Sequence, residues 1–388
     1  MTPAPAHSER ASGTHYLPGL DGLRGIACLL VFIYHLRWEA HEPPLHLLGI
    51  DCMSLLRRCD TGVAIFFVLS GLLLSQPFWR AILENRAWPP FAPYLWRRAC
   101  RIVPAYYACL AVIFLLNRDT YTFYGFLDFL LHVSFLHPFV EYSYASMNGV
   151  LWSIGIEAQF YVMLPAIMLG VAWLWRKAGA PAACVSLIAG TLAIDLVTRA
   201  GLSALAPHLP ERFLLPHDGH VIPGTIFSYL KFFAAGILAG LLLLRWPRWA
   251  MGRIPTFVCL AALVLGALLL AIGDEGHWRQ TVTSGWPLNV IAFGLLAAAT
   301  PHSRTFSRGL SVGWLQAAGT LSYGIYLWHE LVQKAVFGGT LPGLLPGLSL
   351  FFIGGTLALG VTVLLAWLSY RFLEQPAIQA SYPFVSRV

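Results

Sequence analysis

Charge is scarce in this chain: Asp, Glu, Lys and Arg together make up 11% of its 388 residues, and 57% are hydrophobic. A soluble domain carries about 25% charged and 45–50% apolar residues, so a soluble globular fold is excluded. The first nineteen residues lack the apolar core of a secretory leader, so no cleavable signal peptide is expected and the first long apolar run acts as an uncleaved anchor. The cysteines, Cys28, Cys52, Cys59, Cys100, Cys109, Cys184 and Cys259, never take the C-x-x-C spacing of a zinc site, and no metal is expected. Cys52 and Cys59 share one predicted outer loop, where an oxidising compartment would permit a bridge. A G-x-x-x-x-G-K phosphate loop is missing, which leaves ATP hydrolysis without support. No fixed-period repeat or low-complexity tract is found.

What is abundant is apolar length. Runs long enough to cross ~30 Å of hydrocarbon at 1.5 Å per residue lie near 20–38, 61–80, 97–117, 150–173, 182–200, 226–244, 255–272, 284–300, 316–337 and 347–371. They predict an all-α polytopic bundle of about ten spanning helices. The stretch from Phe123 to His137 carries Asp128, His132 and His137 and is too short to span, so it is expected as one short re-entrant or interfacial helix. With ten spans and both termini cytoplasmic, most of the 25 Lys and Arg residues fall inside, and counting 123–137 as a further span would abolish that excess. The expected organisation is a cytoplasmic tail at 1–19, one membrane domain at 20–373 and a second cytoplasmic tail at 374–388, in a cell (inner) membrane. The net charge of +7 comes mostly from inner loops facing anionic lipid, so it does not indicate nucleic acid.

Ionisable residues inside the spans are the functional candidates, because burying them in a membrane is costly. Arg24 and His35 are eleven residues apart on the first span, so at 100° per residue they project from nearly the same face, roughly 16 Å apart. Asp21 stands three residues before Arg24 and is placed to pair with it. Arg98 and Arg101 lie one turn apart at the start of the third span, and three guanidinium groups at one level suit phosphates, as in a nucleotide or coenzyme A. Glu157, counted about two turns below the outer surface, matches the depth of His35 and is expected to orient it. Ser70 reads chiefly as part of a close helix contact with Gly71. Tyr323, Tyr326 and His329 share one face of the ninth span. The bland alternatives are lipid-facing anchors for the arginines and interhelical hydrogen bonds for Glu157. The outer-loop run His217-Asp218-Gly219-His220 reads as solvated loop rather than metal site.

Five segments in order resemble the acyltransferase-3 family of integral membrane O-acyltransferases. They are Leu20-Asp21-Gly22-Leu23-Arg24-Gly25 followed by His35, Phe66 to Gly71, Arg98-x-x-Arg101-Ile102-x-Pro104, Leu151 to Tyr161, and Leu321-Ser322-Tyr323-x-x-Tyr326-Leu327-x-His329. The resemblance implies an acyl-CoA donor, acetyl-CoA above all, and as acceptor a hydroxyl on a surface glycan or on a metabolite such as a macrolide. It gives His35 and Glu157 as catalytic residues and Arg24, Arg98 and Arg101 as donor-binding residues. Asp21, Ser70, Trp152, Ser153, Tyr323, Tyr326 and His329 are the substrate-binding candidates. Two departures stand out. Ala158 replaces a frequent second acidic residue, and Glu374-Gln375-Pro376 lacks the usual arginine, for which Arg371 is the candidate substitute. The rival classes are a transporter or flippase for a lipid-linked or hydrophobic metabolite, and a membrane scaffold or receptor.

Overall fold

The computed structural model describes residues 17–47, 50–116, 122–205, 225–246, 253–272, 287–345 and 347–385. They form an all-helical bundle whose only strands are a two-residue antiparallel pair, β1 (His46–Leu47) and β2 (Ile50–Asp51). The helices are α1 (Leu20–Glu39), α2 (Cys52–Leu56), α3 (Thr61–Leu83), α4 (Phe91–Leu116), α5 (Phe123–Val133), α6 (Leu151–Leu205), α7 (Ile226–Arg245), α8 (Arg253–Ile272), α9 (Pro287–Ala299), α10 (Arg304–Leu310), α11 (Gly313–Thr320) and α12 (Ser322–Phe337). The last, α13, is assembled from Gly347–Ser349, Gly355–Ser369 and Gln375–Val385, joined by π-helical turns at Leu350–Gly354 and Tyr370–Glu374.

Among the described residues, five stretches are long and apolar enough to cross a membrane: Cys52–Leu83, Phe91–Leu116, Leu151–Thr198, Ile226–Arg245 and Gly347–Tyr382. The Leu151–Thr198 stretch covers two of the expected runs, 150–173 and 182–200, and between them Gly179 leaves helical geometry at φ 82° and ψ 172°, with Pro181 two residues on. The other expected runs are helical where they are described, and α1 carries four charged residues, Asp21, Arg24, Arg37 and Glu39. The expected continuous helix at 316–337 is broken at Leu321, which separates α11 from α12. At 11 residues, α5 is too short to cross ~30 Å. All seven cysteines, Cys52 and Cys59 included, are free. The His217 to His220 run lies outside the described residues.

Small residues set the closest helix approaches. A Cβ on Gly71 would stand 2.2 Å from the Phe233 carbonyl oxygen, and one on Gly236 would stand 2.0 Å from that of Val68. Helices α3 and α7 therefore pack backbone to backbone, which only glycine permits. Aromatic bulk fills the core beside this seam: Phe160 stacks on Phe233 with centroids 3.9 Å apart, and the buried Trp79 donates to the Ile237 carbonyl at 2.7 Å. Toward the exterior, α6 and α13 expose Val162, Leu169, Trp173, Phe352, Ile353, Leu364 and Trp367, a surface suited to hydrocarbon.

The segment before α6 is folded into the protein. Asp128 of α5 accepts hydrogen bonds from Ser143 and from Ser146, the latter at 2.6 Å, and His132 stacks on His137 at 4.0 Å. Asn148 then donates to the Leu327 carbonyl at 3.4 Å, and Val150 and Leu151 are fully buried. The N-terminus of α6 thus starts inside the bundle, against α12.

Candidate functional site

One cavity enters the bundle between α1, α3, α4, α6 and α12, with about 770 Å³ of space including its open mouth. Arg24 reaches it from the second turn of α1, and Arg98 and Arg101 from successive turns of α4. Ser70, Ser153, Glu157, Tyr161, Ser322, Tyr323 and Tyr326 supply the remaining polar lining, and Phe66, Phe67, Leu73 and Ile154 part of the apolar wall.

Among the described residues, none of the three arginines forms a hydrogen bond or ion pair with a protein group, and the Arg98 Nε is buried without a partner. The expected pair of Asp21 with Arg24 is not closed, and Asp21 lies outside the cavity lining. Desolvated cations without internal partners are costly, and an anion bound in the cavity removes that cost. Three carboxylates are within electrostatic reach of the cluster: Asp21 and Glu157 act on Arg24, and Glu374 on Arg101 and Arg24. Glu374 is buried at the π-helical turn of α13 and accepts from Ser369 at 3.3 Å. The suggested substitute Arg371 is exposed and donates to Gln375 at 3.3 Å, so it does not join the cluster. Tyr323 ties α12 to α4 beside Arg101 by donating to the Ile102 carbonyl at 2.8 Å.

Glu157 does not touch His35. Its Oε1 accepts from the Ser70 hydroxyl and, at 2.8 Å, from Tyr161, four residues along α6. The expected contact with His35 is not made, because α6 begins inside the bundle, where Val150 and Leu151 are buried, and turns Glu157 toward α3. Ser70 is turned into the cavity while its neighbour Gly71 makes the contact with α7.

His35 lies outside the cavity lining, on the far side of Tyr326. The Tyr326 ring is 5.7 Å from that of His329, which is 5.0 Å from that of His35. Tyr326 is held by Ser153 at 2.6 Å and packs edge-on against Phe66 at 5.8 Å, closing this end of the cavity. Beyond it, His329 Nε2 faces His35 Nδ1 at 3.2 Å. Trp152 is outside the lining too, packed against Phe67, Tyr144 and Tyr229.

Sequence reasoning missed Glu330 and Tyr161. Glu330 is the carboxylate whose charge acts on His35, and it pairs with Lys334 at 2.5 Å. Its signal is its place beside His329; that of Tyr161 is the four-residue spacing from Glu157.

The family profile described as an acyltransferase domain, acyltransferase-3, matches residues 17–371. A provisionally named O-acetyltransferase of Staphylococcus aureus strain COL is 26% identical over 387 residues, covering 93% of this chain and 57% of that protein. O-acetyltransferase OatA of Staphylococcus aureus strain NCTC 8325 is 25% identical over 395 residues, covering 95% of this chain and 58% of that protein. The chain therefore spans somewhat more than half the length of these relatives. No solved structure matches it. With five motifs in order, an arginine-lined cavity and a profile match over most of its length, the chain belongs to the acyltransferase-3 family.

Proposed function

We propose that this protein is a membrane O-acyltransferase that moves an acyl group, acetyl in the first instance, from cytoplasmic acyl-CoA to a hydroxyl on a surface glycan or other sugar-containing acceptor. The observation that carries the reading is the set of three arginines, free of protein partners, that converge on one cavity. Guanidinium groups stay charged and bind phosphate in a bidentate manner, which matches the phosphates of coenzyme A. The orphaned Arg98 Nε fits such a ligand.

In this reading the cavity mouth faces the cytoplasm in a bundle of about ten spans, with both termini on that side of the cell membrane. Arg24, Arg98 and Arg101 hold the phosphates. The acyl arm extends along α1, passes Tyr326 and brings the thioester to His35, roughly 16 Å beyond Arg24. His35 takes the proton of the acceptor hydroxyl as its oxygen attacks the thioester carbonyl. The carbon to sulfur bond then breaks and coenzyme A leaves as its thiolate. General-base assistance of this kind is worth about 10²–10⁴ in rate. Glu157, Ser70 and Tyr161 form the wall along which the donor lies, and the acyl group crosses the bilayer without a carrier cycle.

The test is mass spectrometry of surface glycans and secreted metabolites from cells with and without the protein, paired with purified protein given acetyl-CoA. A mass difference of one acyl group and consumption of the thioester are expected. Export of an acceptor without coenzyme A release would support the transporter class instead.

A further inference from the structure

His35 and His329 are 294 residues apart in sequence and meet through their ring nitrogens, and the backbone around them determines where their protons sit. His329 Nδ1 lies 2.7 Å from the Tyr326 carbonyl oxygen and 3.1 Å from that of Ile325. A nitrogen between two acceptors must carry the hydrogen, which leaves His329 Nε2 as a lone pair in the neutral ring. That lone pair faces His35 Nδ1, which is also 2.9 Å from the Val31 carbonyl oxygen. His35 Nδ1 therefore carries a hydrogen too, and its Nε2 is the bare nitrogen.

Glu330 stands behind this pair. It is 5% exposed, its Oε2 has no partner, and a Cβ at Gly149 would meet its Oε1 at 2.8 Å, so the glycine leaves room for the carboxylate. Its charge acts on both His35 and His329, with Lys334 and Arg37 as the nearby cations. Gln333, one turn beyond His329, donates to the Phe32 carbonyl at 3.0 Å and locks α12 against α1 at this level.

We propose that His329 is the positioning residue that fixes His35 as its Nδ1–H tautomer with Nε2 free to take the acceptor's proton, and that Glu330 balances the imidazolium formed. The proposal rests on the acyltransferase reading above and assigns to His329 and Glu330 the work expected of Glu157. A second imidazole in its neutral form accepts the His35 Nδ1 hydrogen as the carboxylate of a serine protease triad does. The full charge comes from the neighbouring residue on the same helix.

The experiment uses the full-length protein in lipid nanodiscs with 15N-labelled histidine, His35 and His329 signals being identified by His35→Gln and His329→Gln. The expected spectrum shows a protonated Nδ1 and a bare Nε2 for His35 at neutral pH. The opposite tautomer would overturn the proposal. This readout needs no turnover, so it separates the tautomer from the function assigned to it. In acyl transfer from acetyl-CoA to the acceptor identified by mass spectrometry, His329→Ala is expected to lower kcat by about 10- to 10²-fold at unchanged acetyl-CoA KM, short of the full general-base contribution. His329→Gln, whose side-chain oxygen reaches the place of Nε2, is expected to recover most of the loss. Glu330→Gln should lower kcat without changing KM. Equal damage from the Ala and Gln variants at position 329, or full activity of His329→Ala, would overturn the positioning role. Full activity of His35→Ala would instead overturn the acyltransferase reading itself.

Discussion

Ser70 donates its hydroxyl to Glu157 across the boundary between α3 and α6, and this bond places the carboxylate in the arginine-lined cavity rather than against His35. The acidic residue of the Leu151 to Tyr161 segment thereby belongs to the donor end of the site. Replacing Glu157 by Gln keeps an acceptor oxygen for Ser70 and Tyr161 and removes one negative charge beside Arg24. The expected outcome is acetyl-CoA affinity that rises or stays level, measured by isothermal titration, with kcat reduced less than 10²-fold. A loss of about 10²–10⁴ in kcat at constant affinity would mean that Glu157 serves the base after all.

The arginine cluster predicts a binding defect. Alanine at Arg24, Arg98 or Arg101 removes charge-assisted hydrogen bonds worth about 1.5–3 kcal/mol, which is roughly 10- to 100-fold in Kd for acetyl-CoA. Lysine keeps the charge but loses the planar fork, so it should restore the affinity only in part. Dephospho-coenzyme A competition against each variant would show which arginine meets which phosphate, and wild-type affinity in all three alanine variants would contradict the cradle.

Tyr326 separates the cavity from the two histidines. A larger ring at this position, Tyr326→Trp, thickens that partition without touching the arginines. Turnover should fall by up to ~10²-fold while acetyl-CoA binding is retained, since small misplacements of a reacting group carry costs of that size. Unchanged turnover would show that the acyl arm takes another route.

The seam between α3 and α7 predicts a stability effect away from chemistry. Gly71→Ala and Gly236→Ala each put a methyl within 2.2 Å of a backbone oxygen, against an overpacking cost of about 1–3 kcal/mol or more. Thermal unfolding in detergent should show a clear loss for both. Gly266→Ala, with nothing within 4 Å of its new methyl, should be neutral or slightly stabilising through helix propensity.

Part of the site is legible in the amino-acid sequence, and the reason is periodicity. Arg98 and Arg101 one turn apart, and Arg24 near the start of α1, follow from helical spacing, which a sequence carries in full. The placement of Glu157 is not legible, because it depends on how Asp128, Ser143 and Asn148 fold the preceding segment inward, and no local pattern encodes that. The meeting of His35 with His329 is hidden for the same reason, since it joins opposite ends of the chain. The break at Leu321 falls in Gly319-Thr320-Leu321-Ser322-Tyr323-Gly324, a small and polar patch that disappears when hydropathy is averaged over the whole run 316–337. There the close fit of Gly319 against the Asp21 carbonyl oxygen, 1.9 Å from a would-be Cβ, holds α11 to α1 on its own path. Of the ten apolar runs, those at 150–173 and 182–200 form two halves of one interrupted helix, as the Gly and Pro residues between them require.

The measurement that most directly tests the account is transfer of labelled acetyl from acetyl-CoA by purified protein carrying His35→Ala, read beside its acetyl-CoA affinity. Donor binding is expected to be retained, because His35 lies outside the arginine cavity, while transfer falls by at least ~10²-fold. Undiminished transfer by this variant would contradict it.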